Sequence, residues 1–99
     1  MIQVVVLLEV IDAEAFQEFE KQAAKIMNDY KGKLLAAFEP DASESSSSSI
    51  TEIHYLQFPS IEAYKQYRAD PQHRTLSELR KKAISNTTIF VSGATKGYE

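Results

Sequence analysis

Hydrophobic residues change their spacing along this chain, and each change marks a new predicted element. An apolar run at Val4–Leu8 is typical of a strand, and apolar residues every three or four positions over Ala15–Tyr30 are typical of an amphipathic helix. Strand-like runs follow at Leu34–Phe38 and Ile50–Phe58, and after a second helical region a last strand lies around Ile89–Val91. The order β-α-β-β-α-β is the split βαβ arrangement. We therefore predict an α+β, ferredoxin-like fold with a four-stranded antiparallel sheet and helices on one face.

Capping residues indicate where the helices begin and end. Asp12 is a suitable N-cap for the first helix, and Gly32 is placed to end it in a left-handed conformation. Ser60 caps the second helical region. Asp70-Pro71 then interrupts that region, because the residue before a proline is disfavoured in helical conformation. We predict that the second helical region is bent or split near Asp70.

The segment between the second and third strands has no hydrophobic periodicity. Ser43–Ser49 contains six serines and one glutamate, so it cannot bury apolar area. We predict a flexible loop at about residues 41–49 inside a single domain that covers residues 1–99. A phosphorylation target is the alternative interpretation of the serines. The first strand is predicted over Ile2–Ile11 and the last over Asn86–Thr95.

The predicted strands carry apolar residues on both faces of the sheet. Consecutive valines and leucines in Val4–Leu8 point to opposite faces in turn, and Leu34–Phe38 and Ile89–Val91 do the same. Two helical regions cover only one face of a four-stranded sheet. A second copy of the chain is the simplest cover for the other face, so we predict a homodimer with its sheets face to face.

Composition excludes several classes of function. The chain of 99 residues has no cysteine, which excludes disulfides and thiolate chemistry. Its start lacks the basic region of a signal peptide, and its apolar run is far shorter than the about 20 residues that span a bilayer. The net charge of −3 gives no general attraction to nucleic acid, and the basic run Arg80–Lys82 suits a helix C-terminus. We expect a cytoplasmic protein with no nucleic-acid or membrane partner.

One part of the chain resembles a known family. The residues that carry the resemblance are Leu56-Gln57-Phe58-Pro59-Ser60-Ile61-Glu62-Ala63, Tyr67, Asp70-Pro71-Gln72-His73 and Leu79-Arg80. They resemble a group of small uncharacterised domains in the dimeric α+β-barrel superfamily. The resemblance implies a homodimer whose two sheets form a barrel, with a pocket between sheet and helices in each subunit. Relatives with this fold include antibiotic-biosynthesis-type monooxygenases that need no cofactor, lactone isomerases and haem-degrading enzymes, so fold does not select a function. His73 stands where tyrosine is common in the uncharacterised group.

The two histidines are the candidate catalytic residues. His54 lies in mid-strand on the same side as Glu52 and Leu56, and could act as a general base or as a cross-strand polar partner at the subunit interface. His73 lies in the first turn after Pro71, a position that suits a base or a haem ligand; the alternative is an exposed histidine without a role. Neither histidine has carboxylates at metal-ligand spacing. We expect no metal site and no cofactor.

Two tyrosines and an arginine are the candidate ligand-binding residues. Tyr64 and Tyr67 are three positions apart on one helical face, Arg68 is adjacent to them, and Arg80 lies on the following helix. Such a group suits a carbonyl, phenolate or carboxylate. We therefore predict binding of a small aromatic or carbonyl-containing molecule. The alternatives are a cofactor-independent monooxygenase or isomerase, and a self-associating module without a ligand; whether the chain is an enzyme stays open.

Overall fold

Strands and helices follow the predicted order in a computed structural model, which describes residues 1–98. The elements are β1 Ile2–Val10, α1 Ala13–Asp29, β2 Lys33–Phe38, β3 Glu52–Phe58, α2 Ile61–Ala69, α3 Gln72–Thr75, α4 Ser77–Ala83 and β4 Ile84–Val91. The four strands form one sheet in the order β2-β3-β1-β4, and every neighbouring pair is antiparallel. The α+β, ferredoxin-like prediction is confirmed.

The helices pack on one face of the sheet and bury its apolar side chains. Val4 and Leu8 of β1 alternate with residues of the opposite face, and Val4 pairs with Leu56 of β3 across the ladder. Phe58 is fully buried where β3 ends, against Tyr64 of α2. This helix-covered face therefore contains the core.

The opposite face of the sheet is apolar and uncovered. It is defined here as the open face, and its large side chains are Val5, Leu7, Phe38, Ile53, Tyr55 and Phe90. Phe38 is 52% exposed and Phe90 is 60% exposed. No helix within residues 1–98 packs over these side chains. The strand pattern thus predicted both apolar faces correctly.

The first helix ends differently from the prediction. Lys31, and not Gly32, has the left-handed conformation, with φ 59°. The N–H of Lys31 donates to the carbonyl of Asn28 at 3.1 Å, and that of Gly32 donates to the carbonyl of Met27 at 3.0 Å. This is the Schellman pattern. Position 32 requires glycine for a steric reason and not for its backbone conformation, because a Cβ there would lie 2.6 Å from Cε1 of Phe58.

The second helical region is split near Asp70, as predicted, and again at Leu76. The carboxylate of Asp70 accepts a hydrogen bond from the N–H of Gln72 at 2.8 Å and so caps α3. The last helix runs directly into β4 at the buried Ile84, so this strand begins two residues before the predicted Asn86. It ends at Val91 and not at Thr95, and the backbone hydrogen bond from the N–H of Ser92 to the carbonyl of Gln3 is the last one to β1.

The serine-rich segment forms no helix or strand, and its flexibility stays a prediction. Asp41 organises its first turn: the carboxylate accepts hydrogen bonds from the hydroxyl of Ser43 at 2.6 Å and from its N–H at 2.8 Å. These bonds lower the pKa of Asp41.

The close approach of Gly32 to the core predicts a loss of stability when a side chain is added. We expect Gly32→Ala to lower the free energy of unfolding by about 1–3 kcal/mol, because Met27 and Phe58 must move away from the new Cβ. Urea denaturation measures the change. Gly93→Ala is the control, since a Cβ at that position meets nothing within 4 Å. Equal stability of the two variants would contradict the packing described.

Candidate functional site

A cavity of about 390 Å³ lies between the helix-covered face of the sheet and the helices. Its apolar wall is contributed by β1, β3 and β4, with α1 on the opposite side; the main apolar residues are Val4, Val6, Leu8, Phe19, Ala23, Leu56 and Ile89. Pockets that bind small molecules have volumes of about 300–1,000 Å³. The cavity is therefore large enough for a small organic molecule.

All five candidate residues from the sequence line this cavity. His54 comes from β3, Tyr64 and Tyr67 from α2, His73 from α3 and Arg80 from α4. The fold brings them together because the split after α2 turns α3 and α4 back over the sheet. Their spatial convergence is a finding, whereas their roles stay predictions.

Tyr67 lines the cavity and packs against two other aromatic rings. Its ring contacts Phe58 at 5.2 Å and the ring of His73 at 4.8 Å, measured between centroids. Burial, together with the nearby carboxylate of Glu20, raises the pKa of Tyr67 to about 12. The hydroxyl therefore keeps its proton at neutral pH. Within residues 1–98 it forms no hydrogen bond, so it is a donor available to a ligand.

The position of His73 is fixed by Tyr67. Nε2 of His73 lies 2.9 Å from the backbone carbonyl oxygen of Tyr67, and its ring stands edge-on to the tyrosine ring at 86°. A nitrogen opposite a carbonyl oxygen must donate, so Nε2 carries a proton. In the neutral imidazole, Nδ1 then holds the free lone pair. This tautomer suits acceptance of a proton through Nδ1.

His54 is buried beneath the helices and does not lie at the open face. It is 5% exposed, and its partner across the ladder in β1 is Val6. A role as a polar partner at a sheet-to-sheet interface is therefore wrong, because that interpretation placed the side chain on the other face. Nε2 of His54 lies 2.5 Å from Oε2 of Glu52, and Nδ1 lies 3.6 Å from Oε2 of Glu20. The imidazole is thus held between two carboxylates.

Glu20 is a cavity residue that sequence reasoning missed. Its side chain is 35% exposed, and burial raises its pKa, although His54 acts in the opposite direction. The signal was present in the helical period: Glu20 lies four positions after Phe16 and three before Ala23, inside the apolar stripe of α1. A carboxylate in an apolar stripe faces the core and requires a polar partner there.

Two arginines lie along the wall of the cavity. Nη1 of Arg68, the residue next to Tyr67, donates to the hydroxyl of Tyr64 at 2.9 Å. Its guanidinium also lies over the tyrosine ring, 5.9 Å from the centroid. Nη2 of Arg80 donates to the hydroxyl of Thr87 at 2.9 Å. Both arginines are exposed and are held in position by neutral oxygens.

A hydrogen bond joins the end of α1 to the hinge that precedes His73. The hydroxyl of Tyr30 donates to Oδ2 of Asp70 at 2.5 Å. This bond lowers the pKa of Asp70, with a further contribution from the N–H of Gln72, and raises the pKa of Tyr30. The bond thereby sets the position of α3 relative to α1.

Among the residues that the structure describes, no three histidine, aspartate or glutamate side chains come together as a metal would require. None of the helices within residues 1–98 combines the length and apolar character needed to cross a bilayer.

The sequence of the chain matches a known family. Residues 3–94 match the family described as a domain of unknown function, DUF1330. The chain belongs to this family. The match confirms the resemblance to a small uncharacterised family that the region from Leu56 to Arg80 indicated. The curated proteins include no significant match to the chain.

Solved structures show the same fold at low sequence identity. A protein of unknown function from Rhodopseudomonas palustris, RPA0582, has a TM-score of 0.80 at 15% identity, over 97% of this chain and 83% of that one. A dabb family protein with a ferredoxin-like fold from Mesorhizobium loti has a TM-score of 0.68 at 16% identity, over 96% and 97%. A dimeric protein of unknown function and ferredoxin-like fold from Bacteroides fragilis has a TM-score of 0.65 at 10% identity, over 92% and 93%.

The bond between Tyr30 and Asp70 predicts a pH-dependent contribution to stability. Because the pKa of Asp70 is lowered in the folded state, this contribution is present above the unfolded pKa of about 3.9 and is lost as the pH falls through the folded pKa. We expect Tyr30→Phe to lower the melting temperature at pH 7, and the difference from the native protein to shrink below about pH 4. Calorimetry between pH 3 and pH 7 measures it.

Tyr98→Phe is the control for this experiment, since Tyr98 is 91% exposed in the C-terminal tail. A difference between the native protein and Tyr30→Phe that stayed constant down to pH 3 would contradict the account.

Proposed function

We propose that the protein is a homodimer in which each subunit binds a small molecule with an aromatic or apolar body and a carbonyl group, held between sheet and helices. The observation that carries this proposal is the cavity of about 390 Å³ beside the unpartnered hydroxyl of Tyr67. The apolar wall favours a flat hydrocarbon body, and the hydroxyl donates to a carbonyl oxygen. A pocket with many apolar residues and few polar groups is typical of small-molecule sites.

The homodimer is supported by the open face. Large apolar side chains at Phe38, Tyr55 and Phe90 remain exposed on a sheet whose other face is covered. Contiguous apolar patches of this kind mark protein interfaces. A two-fold pairing would cover both copies of the open face at once while leaving the cavities on the outer, helix-covered sides. The Bacteroides fragilis protein, which has a similar fold, is described as dimeric.

A second candidate function is proton transfer without a cofactor, as in a monooxygenase or isomerase. The observation that favours it is the tautomer of His73: Nε2 donates to the carbonyl of Tyr67, so Nδ1 can accept a proton. Tyr67 and Arg80 line the same cavity and could stabilise the enolate or phenolate that results. His54 is less suited, because both of its nitrogens face carboxylates. A purely structural module is disfavoured by the cavity, which side chains do not fill.

The dimer proposal predicts that a charge at the centre of the open face separates the subunits. We expect the native protein to sediment at twice the chain mass of 11.2 kDa at micromolar concentration. Tyr55→Glu should weaken the dimer at least tenfold, because the carboxylate would be buried without a partner. Tyr98→Glu, in the exposed tail, should leave it unchanged. A native protein that sediments as a monomer would contradict the proposal.

The ligand proposal predicts binding of a neutral aromatic ketone. We expect 2-acetonaphthone to bind the native protein with a measurable Kd in an NMR titration, because its ring suits the apolar wall and its carbonyl can accept from Tyr67. Ala23→Leu, which adds three carbons to the cavity wall, should raise the Kd at least fivefold. Ala69→Leu, at the exposed end of α2, is the matched control. Unchanged binding by Ala23→Leu, or no binding to the native protein, would refute the cavity as the site.

A further inference from the structure

We infer that the ligand of this cavity is an organic acid, whose apolar body lies against the sheet and whose carboxylate is bound by Arg68 and Arg80. The inference rests on the proposed function and deepens it, because it names the charge and the class of the ligand. It depends on how the two guanidiniums are held and on the distribution of charge around the cavity.

Both guanidiniums have donors to spare. Each has five N–H donors, and the structure shows one hydrogen bond for each, from Arg68 to Tyr64 and from Arg80 to Thr87. Within residues 1–98 neither arginine forms an ion pair with a carboxylate. Guanidinium groups bind carboxylates with two parallel, charge-assisted hydrogen bonds. An anionic ligand would therefore supply the partner that the protein does not.

The charge around the cavity is opposite to that of the whole chain. The net charge of the protein is −3, yet the cavity is lined by Arg68, Arg80 and a single carboxylate, Glu20. Glu20 in turn faces His54, whose Nδ1 lies 3.6 Å from its Oε2. Two guanidiniums against one carboxylate leave the lining with a net positive charge, which attracts ligands of the opposite sign. The cavity is thus suited to anions although the protein is acidic.

The two arginines that line the cavity come from different elements. Arg68 lies near the end of α2 and is held by the ring and the hydroxyl of Tyr64. Arg80 lies in α4 and is fixed to Thr87 of β4. These neutral partners restrict the side chains without neutralising them, so less conformational entropy is lost when an anion binds. The hydroxyls of Tyr64 and Thr87 thus hold the two guanidiniums in position while leaving their charges unpaired.

The test compares three naphthalene derivatives that differ at one group. The native dimer is titrated with 2-naphthoate, 2-naphthamide and 2-acetonaphthone, and each Kd is measured by NMR at low salt. We expect 2-naphthoate to bind at least tenfold more tightly than 2-naphthamide, and 0.5 M NaCl to reduce that ratio because salt screens exposed charges. 2-Naphthalenesulfonate distinguishes a site for carboxylates from one for any anion: comparable binding of the sulfonate would overturn the assignment to carboxylates.

Substitution of Arg68 and Arg80 tests whether these residues cause the preference for 2-naphthoate over 2-naphthamide. Arg68→Gln and Arg80→Gln should each reduce the ratio of the naphthamide Kd to the naphthoate Kd by at least threefold, because the naphthoate Kd rises by more than the naphthamide Kd. Arg68→Lys keeps the charge but loses the planar pair of donors, so it should recover only part of the preference. Arg74→Gln is the control, because Arg74 is an exposed cation of α3 that does not line the cavity.

The outcomes separate this inference from the proposed function. Equal binding of 2-naphthoate and 2-naphthamide, with 2-acetonaphthone bound and sensitive to Ala23→Leu, would overturn the organic acid and leave the cavity as a ligand site. A preference for naphthoate that persists in both glutamine variants would overturn the assignment to Arg68 and Arg80. No binding of any of the three compounds would overturn both proposals.

Discussion

The structure depends on one constraint: the central strands are apolar on both faces, while the helices of the chain cover only one. Val4 and Leu8 are buried beneath the helices, and between them in the same strand Val5 and Leu7 project to the open face. An antiparallel sheet in a monomer is usually polar on its uncovered side. The chain therefore has two surfaces with different physical requirements. One is satisfied within the subunit, and we propose that a second copy satisfies the other.

The same constraint determines where a ligand can bind. If the open face is used for association, the remaining space is on the helix-covered side, where α2, α3 and α4 do not pack closely enough to fill the volume above the sheet. The split at Asp70 produces this arrangement, because it turns His73 back onto Tyr67 and directs α4 towards β4. The hydrogen bond from Tyr30 to Asp70 fixes the turn. The cavity is thus a consequence of the interrupted helix, and two of its polar residues, Tyr67 and His73, lie beside the interruption.

Much of the fold could be predicted because hydrophobic periods of 2 and 3.6 residues are local properties of the sequence. The element order, the break at Asp70 and the two apolar faces all follow from such patterns. The predictions were wrong where residues distant in the sequence determine the structure: Gly32 is a glycine because Phe58 approaches it, and β4 ends at Val91, where its ladder with β1 ends. The five candidate residues do share one cavity, but Glu20 was overlooked, and Arg68 was noted only as a neighbour of the two tyrosines. Glu20 was visible in the helical stripe, whereas the contact of Arg68 with Tyr64 required the side-chain geometry.

The central claim, that one face of the sheet binds a second copy and the other binds a ligand, is tested most directly by isotope-filtered NOE spectroscopy. The sample mixes methyl-labelled and unlabelled protein and contains 2-acetonaphthone. The account predicts NOEs from the unlabelled copy to the methyl groups of Val5, Leu7 and Ile53, and NOEs from the ligand to those of Val6, Leu56 and Ile89. Ligand NOEs to the methyl groups of the open face, or the absence of any NOE between copies, would contradict it.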